Sequence, residues 1–236
     1  MSNTGNIKIP MGAQNLGAYL AQPDGSIRGT LLLIQEIFGV TPAMRAIADD
    51  FAAEGYLVLV PDIYWRLEPD LDLGNGEDAE QRQRAVDYSN RYDEALGTDD
   101  LVAAVEWLNQ RSRLAQRPAA AGFCLGGRLA VRLAARTILS CAVSMYGVNL
   151  DRHGDEIRRA QCPMQFHFGE NDNHNPLPKI EAVRAFVSAR KNPTDEFFTY
   201  PQAQHAFYNR FRLDRFNLEA HDIAHARMLA FLARHA

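Results

Sequence analysis

The segment Ala121-Gly122-Phe123-Cys124-Leu125-Gly126-Gly127 places a cysteine in the middle of a glycine-rich turn. A hydrophobic run precedes it at 117–121, and apolar positions recur at helical spacing over 128–136, so the pattern predicts a strand, a sharp turn and a helix. Such a turn strains its central residue and needs small residues two positions before and two after, where glycines stand. The arrangement predicts a nucleophile elbow, with Cys124 at a helix N-terminus that favours a thiolate.

Two other interpretations of this turn remain open. A lone cysteine is usually a small buried hydrophobic residue, and a glycine-rich turn between strand and helix can bind phosphate. The sequence has neither G-x-G-x-x-G nor a lysine with Ser or Thr after the glycines, which disfavours phosphate binding. A catalytic cysteine also requires a base and an acid elsewhere in the chain.

Candidates for that base and acid follow later strands. In elbow enzymes the acid and then the histidine come after the nucleophile, each in a loop that follows a strand. Asp172 follows the predicted strand 163–168, and His205 follows the predicted strand 196–200. We therefore predict a triad in which His205 takes a proton from the thiol of Cys124 or passes it onward, and Asp172 fixes the tautomer of the imidazole.

The other histidines carry weaker signals. His167 lies in the middle of a strand, which is typical of a core residue. His221 and His225 are four positions apart on one helix face, a spacing that suits a metal, but no third ligand is in view and we interpret the pair as a solvated face. His174 is close to Asp172 and is either a loop residue or a cleft residue.

Glu36 ends the apolar run 29–34 and is predicted to reach the same sheet edge as Cys124. The backbone N–H of Ile37 would then join that of Leu125 in an oxyanion hole. A carboxylate beside the thiol would disfavour the thiolate and hold Cys124 protonated until something displaced it. The alternative is that Glu36 caps a helix or lies on the surface.

The remaining composition limits the class of protein. The chain has 236 residues, with 47% hydrophobic and 23% charged residues, which fits one α/β domain over 1–236. Its net charge of −4 argues against nucleic-acid binding. Three cysteines without C-x-x-C suit a reducing compartment, and we interpret Cys141 and Cys162 as structural. The start Met1–Asn6 does not resemble a signal peptide and no window is long enough to span a membrane, which predicts a cytoplasmic protein without membrane contact.

The order of apolar runs predicts the architecture. Two short strands, 7–9 and 16–20, are expected to form an antiparallel hairpin through Gly12, and the continuous apolar runs 29–34 and 56–60 are typical of strands covered on both faces. Further helices are predicted at 43–54, 79–95, 99–111, 177–190 and 216–235. Alternating strands and helices predict a mostly parallel sheet with helices on both faces.

Taken together, the motifs resemble those of the dienelactone hydrolase (carboxymethylenebutenolidase) family, the thiol-dependent branch of the α/β-hydrolases. The resemblance covers essentially the whole chain, in family order and at near-identical spacing. It rests on the segments 35–40, 61–64, 122–127 and 146–148 and on the loops of Asp172 and His205. It implies the α/β-hydrolase fold, with a mostly parallel central sheet and an N-terminal antiparallel hairpin.

The resemblance also implies a reaction. Members of the family open a small cyclic enol lactone that bears a carboxylate, giving maleylacetate in chloroaromatic breakdown. By resemblance, Glu36 takes the thiol proton once substrate binds, Cys124 attacks the lactone carbonyl, and water releases the product from the acyl-enzyme. The implied substrate-binding residues are Arg82, Tyr146, Phe38, Tyr64 and Arg210. No metal or organic cofactor is implied, and we expect the enzyme to work as a monomer.

Two positions beside the predicted catalytic histidine depart from the family pattern. The family has serine directly after the histidine and a second substrate-binding arginine four positions after it, whereas this chain has Ala206 and Asn209 there. Arg210, one residue further, is the candidate substitute. These departures favour an alternative, a related cysteine esterase or lactonase with a different small acyl substrate. A third hypothesis is a binding or redox-sensing protein that uses Cys124 only as a reactive thiol.

Overall fold

The computed structural model describes residues 4–236, so Met1, Ser2 and Asn3 of the polar start lie outside the described residues. The chain divides into two compact units: the first runs to Ala119 and takes in Ala236, and the second is Ala120–His235. Each unit is built of strands covered by helices. The second unit contains the predicted triad.

The first unit contains four strands. They are β1 (Gly5–Met11), β2 (Gln14–Ala21), β3 (Gly29–Ile34) and β4 (Tyr56–Pro61), in the order β1-β2-β4-β3. The opening hairpin is antiparallel as predicted, and Gly12 turns it with a positive φ of 67° that glycine adopts without steric cost. Strand β2 pairs antiparallel with β4, and β4 pairs parallel with β3. Both β3 and β4 are buried at every position, as their apolar runs predict.

Three helices complete the first unit: α1 (Pro42–Ala53), α2 (Ala79–Arg91) and α3 (Glu94–Ser112). Helix α1 begins as predicted, because the Thr41 side chain accepts a hydrogen bond from the Met44 N–H and proline stands in the first turn. The predicted break between α2 and α3 was wrong. It falls at Tyr92 and Asp93, since the Asp93 carboxylate accepts hydrogen bonds from the amides of Ala95 and Leu96 and caps α3, so residues 96–98, expected between the helices, lie inside α3.

The second unit is built on four parallel strands in the order β5-β6-β7-β8. They are β5 (Ala119–Phe123), β6 (Ala142–Met145), β7 (Met164–Gly169) and β8 (Glu196–Tyr200). The pairs β5–β6, β6–β7 and β7–β8 are all parallel, so the carboxyl ends of all four strands lie at one edge. Ligand and catalytic sites of α/β folds form at this edge. Cys124, Asp172 and His205 follow β5, β7 and β8 there.

Helices α4 (Leu125–Ala134), α5 (Gly154–Arg159), α6 (Leu177–Ala189) and α7 (Leu218–His235) belong to the second unit. A 3₁₀ turn, Leu150–Arg152, precedes α5. The sequence did not predict this turn or α5, because neither is long enough to show a helical period. Among residues 4–236, no helix combines the length and apolar character needed to cross a membrane.

Candidate active site

The turn between β5 and α4 has the strained geometry of a nucleophile elbow. Cys124 has φ 56° and ψ −114°, a conformation that residues with a side chain rarely adopt. Its N–H donates to the Met145 carbonyl at 3.0 Å, and its carbonyl accepts from the amides of Gly127 and Val148 at 3.1 and 3.3 Å. These bonds fix the turn, and the thiol is partly exposed. The amide of Leu125 is the first of α4 and has no acceptor within the helix.

Gly122 makes this turn possible. A Cβ at this position would lie 1.9 Å from the Gly126 carbonyl oxygen and 2.8 Å from the Gly127 nitrogen, both backbone atoms that cannot move aside. We expect Gly122→Ala to lower the free energy of unfolding by about 3 kcal/mol, because overpacking forces the backbone apart. Urea denaturation measures the loss. The control is Gly25→Ala, at an open position, where a change within about 0.5 kcal/mol is expected; equal stability of the two variants would contradict the elbow geometry.

The predicted acid and base are paired. His205 Nδ1 lies 2.7 Å from Asp172 Oδ2, and both side chains are buried. The other side of the imidazole hydrogen-bonds to the thiol of Cys124. The three residues therefore form a continuous chain from carboxylate to imidazole to sulfur, the order that nucleophilic catalysis requires.

The electrostatics of this chain favour a charged imidazole. Burial acts to lower the pKa of His205, but the negative charge of Cys124 and the hydrogen bonds to Asp172 and Cys124 outweigh it and raise the pKa to about 10. Because this value lies above the ordinary pKa of about 6.5, the pairing stabilises the folded state fully below that value. The stabilisation is lost as the pH rises through about 10. The imidazole of His205 therefore keeps its proton at neutral pH and can pair with a thiolate at Cys124.

Asp172 is held from both sides. Its Oδ1 accepts the backbone N–H of His174 at 2.8 Å, and its Oδ2 accepts the side-chain amide of Asn175 at 2.9 Å in addition to His205. Burial acts to raise the pKa of Asp172, but the bonds and charge of His205 and the bonds from Asn175 and His174 hold it below the ordinary range. The carboxylate is thus kept ionised and fixed in orientation.

Asn175 is a functional candidate that sequence reasoning missed. Its buried amide donates both to Asp172 Oδ2 and to the Tyr146 carbonyl at 3.3 Å, so it ties the acid loop to the end of β6. The only sequence signal is its position three residues after the predicted acid, a spacing at which many loop residues point to solvent. The contact itself is a product of the tertiary fold.

Replacing Asn175 with alanine is expected to lower kcat/KM about 10-fold or more, because a hydrogen bond to a charged group contributes about 1.5 to 3 kcal/mol. The pKa of Asp172 should rise in the same variant, since the amide of Asn175 helps to hold it down. Steady-state ester hydrolysis across pH measures both effects. Asn171→Ala provides the control, because Asn171 is an exposed residue of the same loop; an equal loss in the two variants would contradict the assigned contact.

Tyr146, a predicted substrate-binding residue, is fully buried, with a positive φ of 41°. Its ring packs edge-on against His205 at 5.0 Å between centroids, and also against Phe123 at 5.9 Å and Phe207 at 5.5 Å. The contact with the imidazole limits how far His205 can rotate. Tyr146 therefore supports the triad, and its contact with substrate stays a prediction.

The remaining predicted site residues near the start of the chain belong to the first unit. Glu36 and Phe38 are buried, and Ile37 is partly exposed. Tyr64 is fully buried, and its ring packs against Tyr88 and Tyr92. Arg82 is an exposed residue of α2 whose guanidinium donates to the carbonyl oxygens of Gly76 at 2.8 Å and Glu77 at 3.2 Å. The catalytic and binding roles given to them from the sequence stay predictions.

The two departures beside His205 have structural consequences. Ala206 is buried with φ 64°, so the residue directly after the histidine lies in the left-handed region. Asn209 is also buried, and its Oδ1 accepts the Phe211 N–H at 3.0 Å, which makes it part of a tight turn. Arg210 is exposed. The residue in the family's arginine position thus stabilises a loop.

The histidines outside the triad divide into two cases. His167 is a satisfied core residue, as predicted: its ring nitrogens lie 2.7 Å from the Tyr200 hydroxyl and 2.8 Å from Gln165 Oε1, and burial lowers its pKa to about 3. The solvated face predicted for His221 and His225 was wrong. Both are half-buried against Tyr208, whose hydroxyl lies 2.6 Å from His225 Nδ1.

Neither of the other two thiols resembles Cys124. Cys141 and Cys162 are both free and buried, and burial raises the pKa of Cys141 strongly and that of Cys162 to about 11. Both therefore stay protonated at neutral pH, in agreement with a structural role. Within residues 4–236, no three or more His, Cys, Asp or Glu side chains are grouped as a metal would require.

Comparison with known proteins extends these observations. The model of the dienelactone hydrolase family matches residues 16–236. The carboxymethylenebutenolidase of Pseudomonas sp. (strain P51) is 34% identical over 94% of this chain and 92% of its own length. Carboxymethylenebutenolidase 1 of Cupriavidus pinatubonensis is 31% identical over 92% and 91%. A crystal structure from Klebsiella pneumoniae, provisionally assigned as a dienelactone hydrolase, has a TM-score of 0.87 and 27% identity, with both chains covered in full. The predicted fold class is confirmed.

Proposed function

Because this chain belongs to the dienelactone hydrolase family and is a hydrolase of esters or lactones, we propose that it opens dienelactone (4-carboxymethylenebut-2-en-4-olide) to maleylacetate. The reaction proceeds through a Cys124 acyl-enzyme. The observation that carries the proposal is the Asp172–His205 pair, joined by 2.7 Å and hydrogen-bonded to a thiol on an elbow. The names of its relatives supply the substrate class.

The first half of the reaction uses the thiolate–imidazolium pair. The sulfur of Cys124 attacks the lactone carbonyl, and the electron pair of the C=O bond moves to oxygen. The Leu125 N–H receives this oxyanion, with the Ile37 N–H as the second donor predicted from the sequence. As the intermediate collapses, the ring C–O bond breaks, and the enolate that leaves takes up the proton of the His205 imidazolium, so that His205 becomes neutral. The enolate is a good leaving group, because its negative charge is delocalised.

The second half of the reaction releases the product and regenerates the thiolate of Cys124. His205, neutral at this stage, removes a proton from water as the water attacks the thioester carbonyl. The C–S bond then breaks, the product acid leaves and loses its proton to solvent, and Cys124 recovers its charge beside the imidazolium. Asp172 stabilises that imidazolium throughout without itself being protonated.

Glu36, the predicted proton acceptor of the thiol, would keep the protonated fraction of Cys124 inactive until substrate binds and would then accept its proton. This role rests on the family resemblance and on a buried position after β3. A switch of this kind protects a reactive thiol from oxidation and off-target acylation between turnovers. The proposed substrate binding by Phe38 and Tyr64 has the same basis. Catabolism of chloroaromatic compounds is the corresponding physiological role.

Arg82 is proposed to bind the carboxylate of the substrate, because a guanidinium can hold a carboxylate through two parallel hydrogen bonds. We expect Arg82→Gln to raise KM about 10-fold or more, since a charge-assisted hydrogen bond contributes about 1.5 to 3 kcal/mol. Initial rates over a range of dienelactone concentrations separate KM from kcat. Arg84→Gln is the matched control, because Arg84 lies on the same helix and pairs with Glu68. Equal KM values in the two variants would remove Arg82 from the site.

A second candidate function is a cysteine esterase or lactonase for a different small acyl compound. The buried Asn209 favours it, because this residue stands where the family has its second carboxylate-binding arginine. Exposed Arg210 is the only nearby substitute proposed from the sequence. A substrate without a carboxylate would then be processed faster than dienelactone.

The test is the loss of ultraviolet absorbance of dienelactone with the purified protein, beside the hydrolysis of simple aryl esters. Turnover of dienelactone that exceeds turnover of the aryl esters supports the first function. The reverse order, with Cys124 still quickly alkylated by iodoacetamide, supports the second. Rapid peroxide oxidation of the thiol without any turnover would revive the redox-sensing hypothesis.

A further inference from the structure

His174 lies directly against the proposed catalytic base. Its imidazole is exposed to solvent, and its ring centroid is 4.6 Å from that of His205, with the planes tilted by 59°. Its backbone is fixed in place because its N–H donates to Asp172 Oδ1 at 2.8 Å. A second titratable ring is thus held on the solvent side of the buried imidazole, at a distance set by the same carboxylate that orients the triad.

We propose that His174 is a positioning residue that supports the charged form of His205 while it is itself neutral and abolishes that form when it takes up a proton. The inference rests on the proposed function, since it concerns the same triad. In this arrangement, protonation of His174 sets the lowest pH at which Cys124 remains a thiolate.

The charges around His174 favour its neutral form. Partial burial and the charge of His205 lower the pKa of His174, and the charges of Arg215, in the loop before α7, and of Lys179, on α6, lower it further; Asp172 acts in the opposite direction. At neutral pH the imidazole of His205 therefore carries a proton and that of His174 does not. The exposed ring then offers its uncharged face to an imidazolium.

A proton on His174 reverses this arrangement. Two imidazolium rings whose centroids are 4.6 Å apart repel each other, and this repulsion is relieved if His205 passes its proton to the sulfur of Cys124. The N–H bond of His205 breaks, an S–H bond forms, and both groups become neutral. The nucleophile is then a thiol, which is far less reactive than a thiolate.

The pH dependence of Cys124 alkylation by iodoacetamide tests this inference without any substrate. His174→Phe keeps an aromatic ring against His205 but cannot take up a proton. As the pH is lowered, the alkylation rate of this variant should therefore begin to fall at a lower pH than that of the wild type. In the pH range where the wild-type rate is falling, we expect the variant to be alkylated about threefold faster or more than the wild type, which corresponds to a shift of half a pH unit or more. Mass spectrometry of the labelled peptide identifies Cys124 as the modified residue.

His235→Phe is the matched control, because this histidine lies at the end of α7, packs against Phe231 and is not part of the triad. Its alkylation profile should follow that of the wild type. Coincident profiles for His174→Phe and the wild type would overturn the inference. If His205→Gln does not slow alkylation at neutral pH, the triad itself fails, and with it the proposed function.

A second measurement observes the coupling directly. The imidazole resonances of His174, followed by nuclear magnetic resonance against pH, should titrate at a higher pH in His205→Gln than in the wild type, because the neighbouring charge is gone. A rise of about half a pH unit or more is expected, equivalent to a threefold change in proton affinity. An unchanged midpoint would overturn the inference.

Discussion

Replacing Cys124 with alanine is expected to abolish turnover of dienelactone or ester substrates, with kcat lowered about 10⁴-fold or more, as for loss of the nucleophile in other triads. No neighbouring group can substitute, because the other two thiols of the chain are buried and burial keeps them protonated. Steady-state kinetics with purified wild-type and variant proteins measure the loss. The folded state should be retained, since alanine removes only a partly exposed sulfur.

Cys124→Ser is the informative control. A serine hydroxyl fits the same elbow, but its far higher pKa prevents the ion pair with His205, so its activity should lie well below wild type while the structure stays the same. Circular dichroism and urea denaturation verify the fold of both variants. Turnover by Cys124→Ala at a tenth of the wild-type rate or more would exclude the acyl-enzyme mechanism.

Asp172→Asn should lower kcat about 10³- to 10⁴-fold, because an amide can no longer accept the Nδ1–H of His205 as a carboxylate does and allows the wrong tautomer. The pH profile should change as well. Asp172 contributes to raising the pKa of His205 to about 10, so its neutralisation lowers that pKa and moves the alkaline limb of the activity to lower pH. Measurement of kcat/KM between pH 5 and pH 11 follows both effects.

Asp195→Asn separates loss of catalysis from loss of stability. Asp195 is another buried carboxylate of the second unit and pairs with Arg190 at 3.0 Å, but it has no part in the triad. We expect this variant to be less stable and to keep its kcat. If kcat/KM of Asp172→Asn falls at the same alkaline pH as that of the wild type, the assigned coupling between Asp172 and His205 is contradicted.

The local parts of the site could be predicted from the sequence because each depends on a short stretch of chain. Glycines two positions before and two after Cys124 permit the strained turn, and the apolar run before them forms β5. Asp172 and His205 each lie in the loop that follows a short strand rich in aromatic residues. Strands covered on both faces cannot alternate in polarity, so their positions and their parallel order follow from composition and length.

The wrong predictions occurred where one local sequence pattern is compatible with two structures. The second of two successive helices was predicted to begin at residue 99, but a carboxylate cap at Asp93 begins α3 earlier. The pair His221 and His225 has the spacing of a polar helix face. Tyr208, which follows the catalytic loop, packs against that face and half-buries both rings.

What the sequence by itself determined is the assignment of Cys124, His205 and Asp172 as the proposed nucleophile, base and acid and the position of each in a turn or loop after a strand, because these depend on turn sterics and on the polarity of short segments. Only the tertiary structure decided what surrounds the triad: the amide of Asn175 on Asp172, the ring of Tyr146 behind His205 and the ring of His174 in front of it. Two of these contacts join loops that are far apart in the chain, because Tyr146 and His174 both pack against His205 from loops that follow earlier strands. Their geometry is set by the packing of parallel strands and by backbone angles such as the positive φ of Tyr146, neither of which leaves a periodic signal in the sequence.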